Sequence, residues 1–184
     1  MKARFIKTIL LSALSAIGAF SAVTYSSCNP DKCKSIVCAY NGTCNNGTCS
    51  CATGYEGTRC ETISREKYLG VWSVVEVGTI TNIAHYTLSI KANDASSDVS
   101  QVSIYNFYNS LTSPVSASVK GDTLYIPSQT IDKKTISGFA ALSTENTIYG
   151  QHAQMSVYYS VKDLTNGTTN DFGQVNGSAS VWNK

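Results

Sequence analysis

The chain has 184 residues, with 14 Lys and Arg against 12 Asp and Glu and a formal net charge of +2. Lysines are scattered, Lys133-Lys134 being the only adjacent pair, so the sequence carries no electrostatic footprint for nucleic acid. Without residues 1–27 it has 157 residues and 11 basic against 12 acidic groups, a net charge of minus one that offers no basic footprint for nucleic acid.

The N-terminus reads as an export signal. Lys2, Arg4 and Lys7 form a basic region before an apolar stretch from Thr8 to Val23. That stretch is 16 residues long and interrupted by Ser12, Ser15, Gly18 and Ser21, whereas a spanning helix needs about 20 predominantly apolar residues. Residues 1–27 are therefore expected to be a cleaved signal peptide. Tyr25-Ser26-Ser27-Cys28 is similar to a bacterial lipobox, with Tyr25 standing where an aliphatic residue is usual. The resemblance implies that Cys28 becomes the lipid-modified first residue and that residues 28–32 are a tether. The implied location is extracytoplasmic, lipid-anchored to a bacterial membrane, at the outer membrane or cell surface. The alternative is ordinary cleavage near Ala22, leaving Cys28 free or dimer-forming.

Six further cysteines, Cys33, Cys38, Cys44, Cys49, Cys51 and Cys60, fall within 28 residues. Zinc sites favour C-x-x-C pairs and often histidine, and neither occurs between residues 28 and 60, so a disulfide framework in an oxidising compartment is expected. Six cysteines allow fifteen pairings. Cys38-Ala39-Tyr40-Asn41-Gly42-Thr43-Cys44 and the C-x-C-x-x-G-Y-x-G-x-x-C run from Cys49 to Cys60 resemble segments of an EGF-like domain, placed here at 33–61. The resemblance implies the pairs Cys33 with Cys44, Cys38 with Cys49, and Cys51 with Cys60. A module of this size lies below the roughly 40 residues at which a chain needs staples to fold alone. Gly42, Gly47, Gly54 and Gly57 are expected at tight turns. Asn29 and Asp31 stand where many such domains hold calcium, but Lys32 brings a positive charge, and solvated linker is the default reading. A growth-factor role lacks the leucine expected after the last cysteine; Tyr55 is then expected to pack on the bridges.

Residues 62–67 are polar and charged and read as a linker. From 68 to 184 there is no cysteine, and period-two alternation recurs. Counting the opening run Tyr68 to Val77, it predicts about eight strands, with inward sets such as Tyr86, Leu88 and Ile90, or Met155, Val157, Tyr159 and Val161. The last predicted set is Ala179 and Val181 inward, Ser178 and Ser180 outward. Turn chemistry falls at Lys91 to Asp98, Lys120-Gly121-Asp122, Ser143 to Asn146, Asn166-Gly167 and Asn176-Gly177. One apolar and one polar face per strand predicts an all-β, antiparallel barrel or sandwich. Gly70-Val71-Trp72 is similar to the G-x-W of lipocalin-type barrels, in which the tryptophan plugs one end. The whole chain resembles small bacterial surface lipoproteins carrying an EGF-like module before such a β-domain.

Little in the sequence points to catalysis. His85 and His152 lie 67 residues apart outside any metal motif, G-x-S-x-G is absent, and phosphate-cradling glycine loops are missing, so no enzyme, metal or cofactor is expected. Four N-x-S/T sequons, at Asn41, Asn46, Asn166 and Asn176, all have glycine in the middle and read as turns. Tyr105, Phe107, Tyr108, Tyr125, Tyr158 and Tyr159 lie in or near strands; on an outer face they suit protein or carbohydrate contact, and otherwise cross-strand pairing. The expected function is non-enzymatic, membrane-tethered interaction with a protein or glycan. The alternative is a carrier of a small apolar ligand, for which Ala117, Gly138, Ala140 and Ala179 leave room inside.

Overall fold

The computed structural model describes residues 31–147 and 150–184, the side chains of residues 144–152 excepted. The signal segment 1–27, Cys28 and Asn29 lie outside the described residues.

Three disulfides join Cys33 to Cys44, Cys38 to Cys49 and Cys51 to Cys60, with Cα separations of 5.8, 5.7 and 5.2 Å. Between them β1 (Thr43–Asn45) and β2 (Thr48–Ser50) form a hairpin whose two-residue loop is Asn46-Gly47. Both loop residues have positive φ, 51° and 92°, the conformation that matches strand twist and suits Asn-Gly. Of residues 31–61 only Gly54 and Cys60 are buried, so cross-links stand in for a core. With separations of 11, 11 and 9 residues, each bridge stabilises by roughly 2.5–3 kcal/mol through restriction of the unfolded chain.

The predicted linker is ordered. β3 (Tyr55–Glu56) pairs with β4 (Thr62–Ile63), and Ser64–Lys67 follow as a 3₁₀ turn. Buried Ser64 donates its N–H to Gly54 O at 2.9 Å, and Arg65 Nη1 donates to Gln101 O at 3.2 Å. The Lys67 ammonium bridges the Glu56 and Asp122 carboxylates at 2.9 and 2.6 Å. Polar residues that read as a solvated spacer are thus the hydrogen-bonding groups that fasten the module to the β-domain.

Nine strands then run β5 (Gly70–Glu76), β6 (Ala84–Ala92), β7 (Gln101–Tyr105), β8 (Val115–Lys120), β9 (Thr123–Ile131), β10 (Lys134–Thr147), β11 (Gly150–Asp163), β12 (Thr169–Phe172) and β13 (Ser180–Asn183). β5 to β11 pair in sequence, β11 pairs with β13, and β13 pairs with β5, every pair antiparallel. The result is a closed eight-stranded barrel and not a sandwich; β12 covers the stretch of β11 beyond β13. Inward positions follow the alternation: Leu88, Ile90, Val102, Ile104, Val115, Ala117, Val119, Leu124 and Ile126 are all buried. Pro127 sits in β9 where pairing with β10 shifts register between Ile136 and Gly138, a bulge that tolerates a residue without an N–H. There the Gln129 side chain takes the place of a strand neighbour, accepting the Ser116 N–H at 2.9 Å and donating to Ser116 O at 2.8 Å.

Two expectations are corrected. Ser143 to Asn146 are not a turn, because β10 continues to Thr147 in unbroken register with β11. Pairing along a long hairpin overrides local turn chemistry. In β13 the inward residues are Ser180 and Trp182, both buried, while Val181 is half-exposed; the phase is the reverse of that predicted. The cause is a buried carboxylate that needs the Ser180 hydroxyl.

Candidate functional site

The barrel interior is built from two closed ends. Where the disulfide module joins, Trp72 is buried and its indole N–H donates to Tyr68 O at 2.7 Å. The Tyr68 hydroxyl donates to Gly121 O at 3.1 Å, and burial pushes its pKa well up. The Lys184 ammonium lies 5.7 Å from the Trp72 ring centre and donates to Leu69 O at 2.6 Å.

The far end holds the one inward-facing charge of β5. Trp72, Val74 and Glu76 share the inward phase, and Glu76 is only 5 % exposed. Three hydroxyls donate to its carboxylate: Tyr86 to Oε1 at 3.0 Å, and Tyr159 and Ser180 to Oε2 at 2.8 and 2.7 Å. The Trp182 indole donates to Ser180 Oγ at 2.8 Å and fixes that hydroxyl in turn. Burial raises the Glu76 pKa above the ordinary carboxylate value; the three donors oppose the shift. Burial likewise drives the Tyr86 and Tyr159 phenols far up, so both remain proton donors.

Aromatic rings pack around this cluster. Tyr159 stacks on Phe172 with centroids 4.3 Å apart and meets Phe107 edge-on at 4.8 Å; Phe107 meets Trp182 at 5.9 Å. Gly138, expected to leave room inside, instead lies against the Tyr158 carbonyl and the Tyr159 side chain, so a Cβ there has no space. Ala117 and Ala140 are buried in the same core, and Ala179 is half-buried before β13. Outside the ring, buried Asn170 of β12 accepts the Ile80 N–H at 3.1 Å and donates to the Thr81 and Tyr108 hydroxyls at 2.9 and 3.0 Å.

Strand register places neither histidine in the inward phase of this cluster. His85 is exposed on β6 and opposite Val75, whose partner Val181 lies opposite Ser156; His152 lies four positions from Ser156 along β11. Among the described residues, no three His, Cys, Asp or Glu side chains converge on a point. The Asp31 carboxylate accepts the Cys33 N–H at 2.9 Å. In the module Tyr55 stacks on Tyr40 with centroids 4.4 Å apart.

The six predicted aromatics divide. Phe107 and Tyr159 are core, Tyr108 is half-buried against Phe172, and Tyr105, Tyr125 and Tyr158 face outward. Tyr105 sits under the Lys91 ammonium at 5.0 Å. Across three adjacent strands the register places Tyr125 directly opposite Phe139 and Phe139 directly opposite Tyr158. Phe139 and Tyr158 are stacked, centroids 5.0 Å apart and planes within 18°. Tyr125 and Phe139 remain 47 % and 41 % exposed. Phe139 was legible only as an outward position; its alignment with two tyrosines depends on register, which alternation does not specify.

No protein-family model matches the chain, and neither the curated proteins nor the solved structures contain a match.

Proposed function

We propose that the protein is a non-enzymatic, exported binding protein, anchored to a bacterial membrane through a lipid on Cys28. Its EGF-like module is a stiff spacer, and its barrel is a scaffold whose outer surface contacts a glycan or protein at the cell surface. One observation carries this reading: the interior is filled by the protein's own side chains. Glu76 already accepts three hydroxyl hydrogen bonds, and the Tyr159 ring is held between Phe172 and Phe107. A carrier of an apolar ligand needs that same volume. The Lys67 bridge and the buried Ser64 support the spacer role, since they hold the junction by direct contacts.

Mass spectrometry of the protein from its native membrane tests the tether. The expected mass begins at Cys28 with acyl chains added, and six cysteines become alkylatable only after reduction. An N-terminus elsewhere without lipid overturns the anchored reading. Titration with apolar ligands separates the carrier: Trp72 and Trp182, both buried, should show no quenching.

A further inference from the structure

The outward aromatic row has two exposed members, Tyr125 and Phe139, and a half-buried one, Tyr158, and the one charge flanking it is Lys120 at the β8 edge. Tyr125, Phe139 and Tyr158 are consecutive partners on β9, β10 and β11, and Ser118 of β8 continues the same line opposite Tyr125. The next outward positions along β10 and β11 are Ser137, Ala141, Ser156 and Ser160. Neighbouring strands are about 4.8 Å apart, comparable to the length of one pyranose unit. The Gln174 amide donates to Ser137 O at 3.1 Å, bringing another neutral polar group to this face.

We propose that this face binds a neutral polysaccharide, with Tyr125, Phe139 and Tyr158 offering ring surfaces to the C–H faces of successive sugars. It deepens the surface-binding reading above and rests on it. Phe139 leans on Tyr158 rather than on Tyr125, although both partners are in direct register. Its side toward Tyr125 is therefore left open, and the third ring stands free beside it. A polyol has apolar C–H faces for the rings and hydroxyls for the serines. A nucleic acid or an anionic lipid needs several Lys or Arg at the contact, and among the outward strand positions flanking the row only Lys120, diagonal to Tyr125, is charged. A protein partner of ordinary interface chemistry is better served by aliphatic side chains or Arg around the aromatics than by serines.

Affinity electrophoresis of the purified mature chain tests the proposal, using gels containing hydroxyethylcellulose, galactomannan, xylan or glycogen, with heparin as the charged control. Retardation by at least one neutral polymer is expected, persisting in 0.5 M salt. The Tyr125→Ala, Phe139→Ala double variant should weaken it at least tenfold. Phe139→Ser, a residue already common on this face, is the milder second variant and should weaken it severalfold. Trp72 and Trp182 lie inside the barrel, so their unchanged emission certifies that each variant is folded. Failure of every neutral polymer to retard the wild type overturns the proposal, as does retardation by heparin alone or undiminished binding by the folded variants. Such a failure leaves the tether intact, because the mass of the native protein decides that independently.

Discussion

Tyr159→Phe removes one hydroxyl and leaves the ring where Phe172 and Phe107 hold it, at 4.3 and 4.8 Å. The lost hydroxyl donates to Glu76 Oε2 at 2.8 Å in a site 5 % exposed. A hydrogen bond to a charged acceptor is worth about 1.5–3 kcal/mol and one to a neutral acceptor about 0.5–1.5 kcal/mol. The variant should therefore lose about 2 kcal/mol against the ionised carboxylate and about 1 kcal/mol against the protonated carboxyl, so the loss should shrink from pH 8 to pH 4. Because folding raises the Glu76 pKa above its starting value of 4.5, the folded state binds the proton more tightly than the unfolded chain. Stability is then fully present below about 4.5 and is lost as pH rises through the folded-state value. Removing a donor that favours the anion steepens this loss. Urea unfolding followed by Trp72 and Trp182 emission measures it; with a slope of about 1.5 kcal/mol/M, 2 kcal/mol moves the midpoint by about 1.3 M. A loss under about 0.5 kcal/mol at pH 8, or one that does not shrink on acidification, refutes the picture of Glu76 as a buried acceptor held by its neighbours.

Glu76→Gln cannot ionise there, so its stability should stay flat between pH 5 and 8 while the wild type declines; parallel curves count against Glu76 as the titrating group. In Gly78→Ala the added methyl falls on the Asn170 amide, and the displaced amide loses Ile80, Thr81 and Tyr108 together, a cost of about 1–3 kcal/mol readable by calorimetry. Lys67→Ala should cost at most about 1 kcal/mol, since the bridged side chains are partly solvated, but should speed protease cleavage within 62–67. Dithiothreitol should open the module while leaving the barrel's tryptophan emission native, because no cysteine follows Cys60; a red shift on reduction contradicts independent folding of the barrel.

All eight barrel strands were legible because each buries one face, and period-two alternation records that directly. Closure was not legible, since it depends on β13 finding β5 across the whole barrel sequence. β13 misled because Ala179 and Val181 offered an apolar phase, while the interior required a hydroxyl for Glu76. β12 was missed for a related reason: Thr169, Asn170 and Asp171 do not look like a buried strand, yet Asn170 and Asp171 are buried by hydrogen bonding. The inward placement of Glu76 was readable from Trp72 and Val74 at the same spacing. The aromatic row was half-readable: phase put its members outside, and only the strand register aligned them.

The ring is sealed by the barrel strand made last. Ser73 and Asn183 are partners, and until β13 has left the ribosome β5 has no neighbour on one side. A nascent chain can thus complete hairpins such as β10–β11 but never the enclosure until β13 has been made. Contacts of such long sequence separation form slowly, so closure of the ring is expected to be the late step of folding.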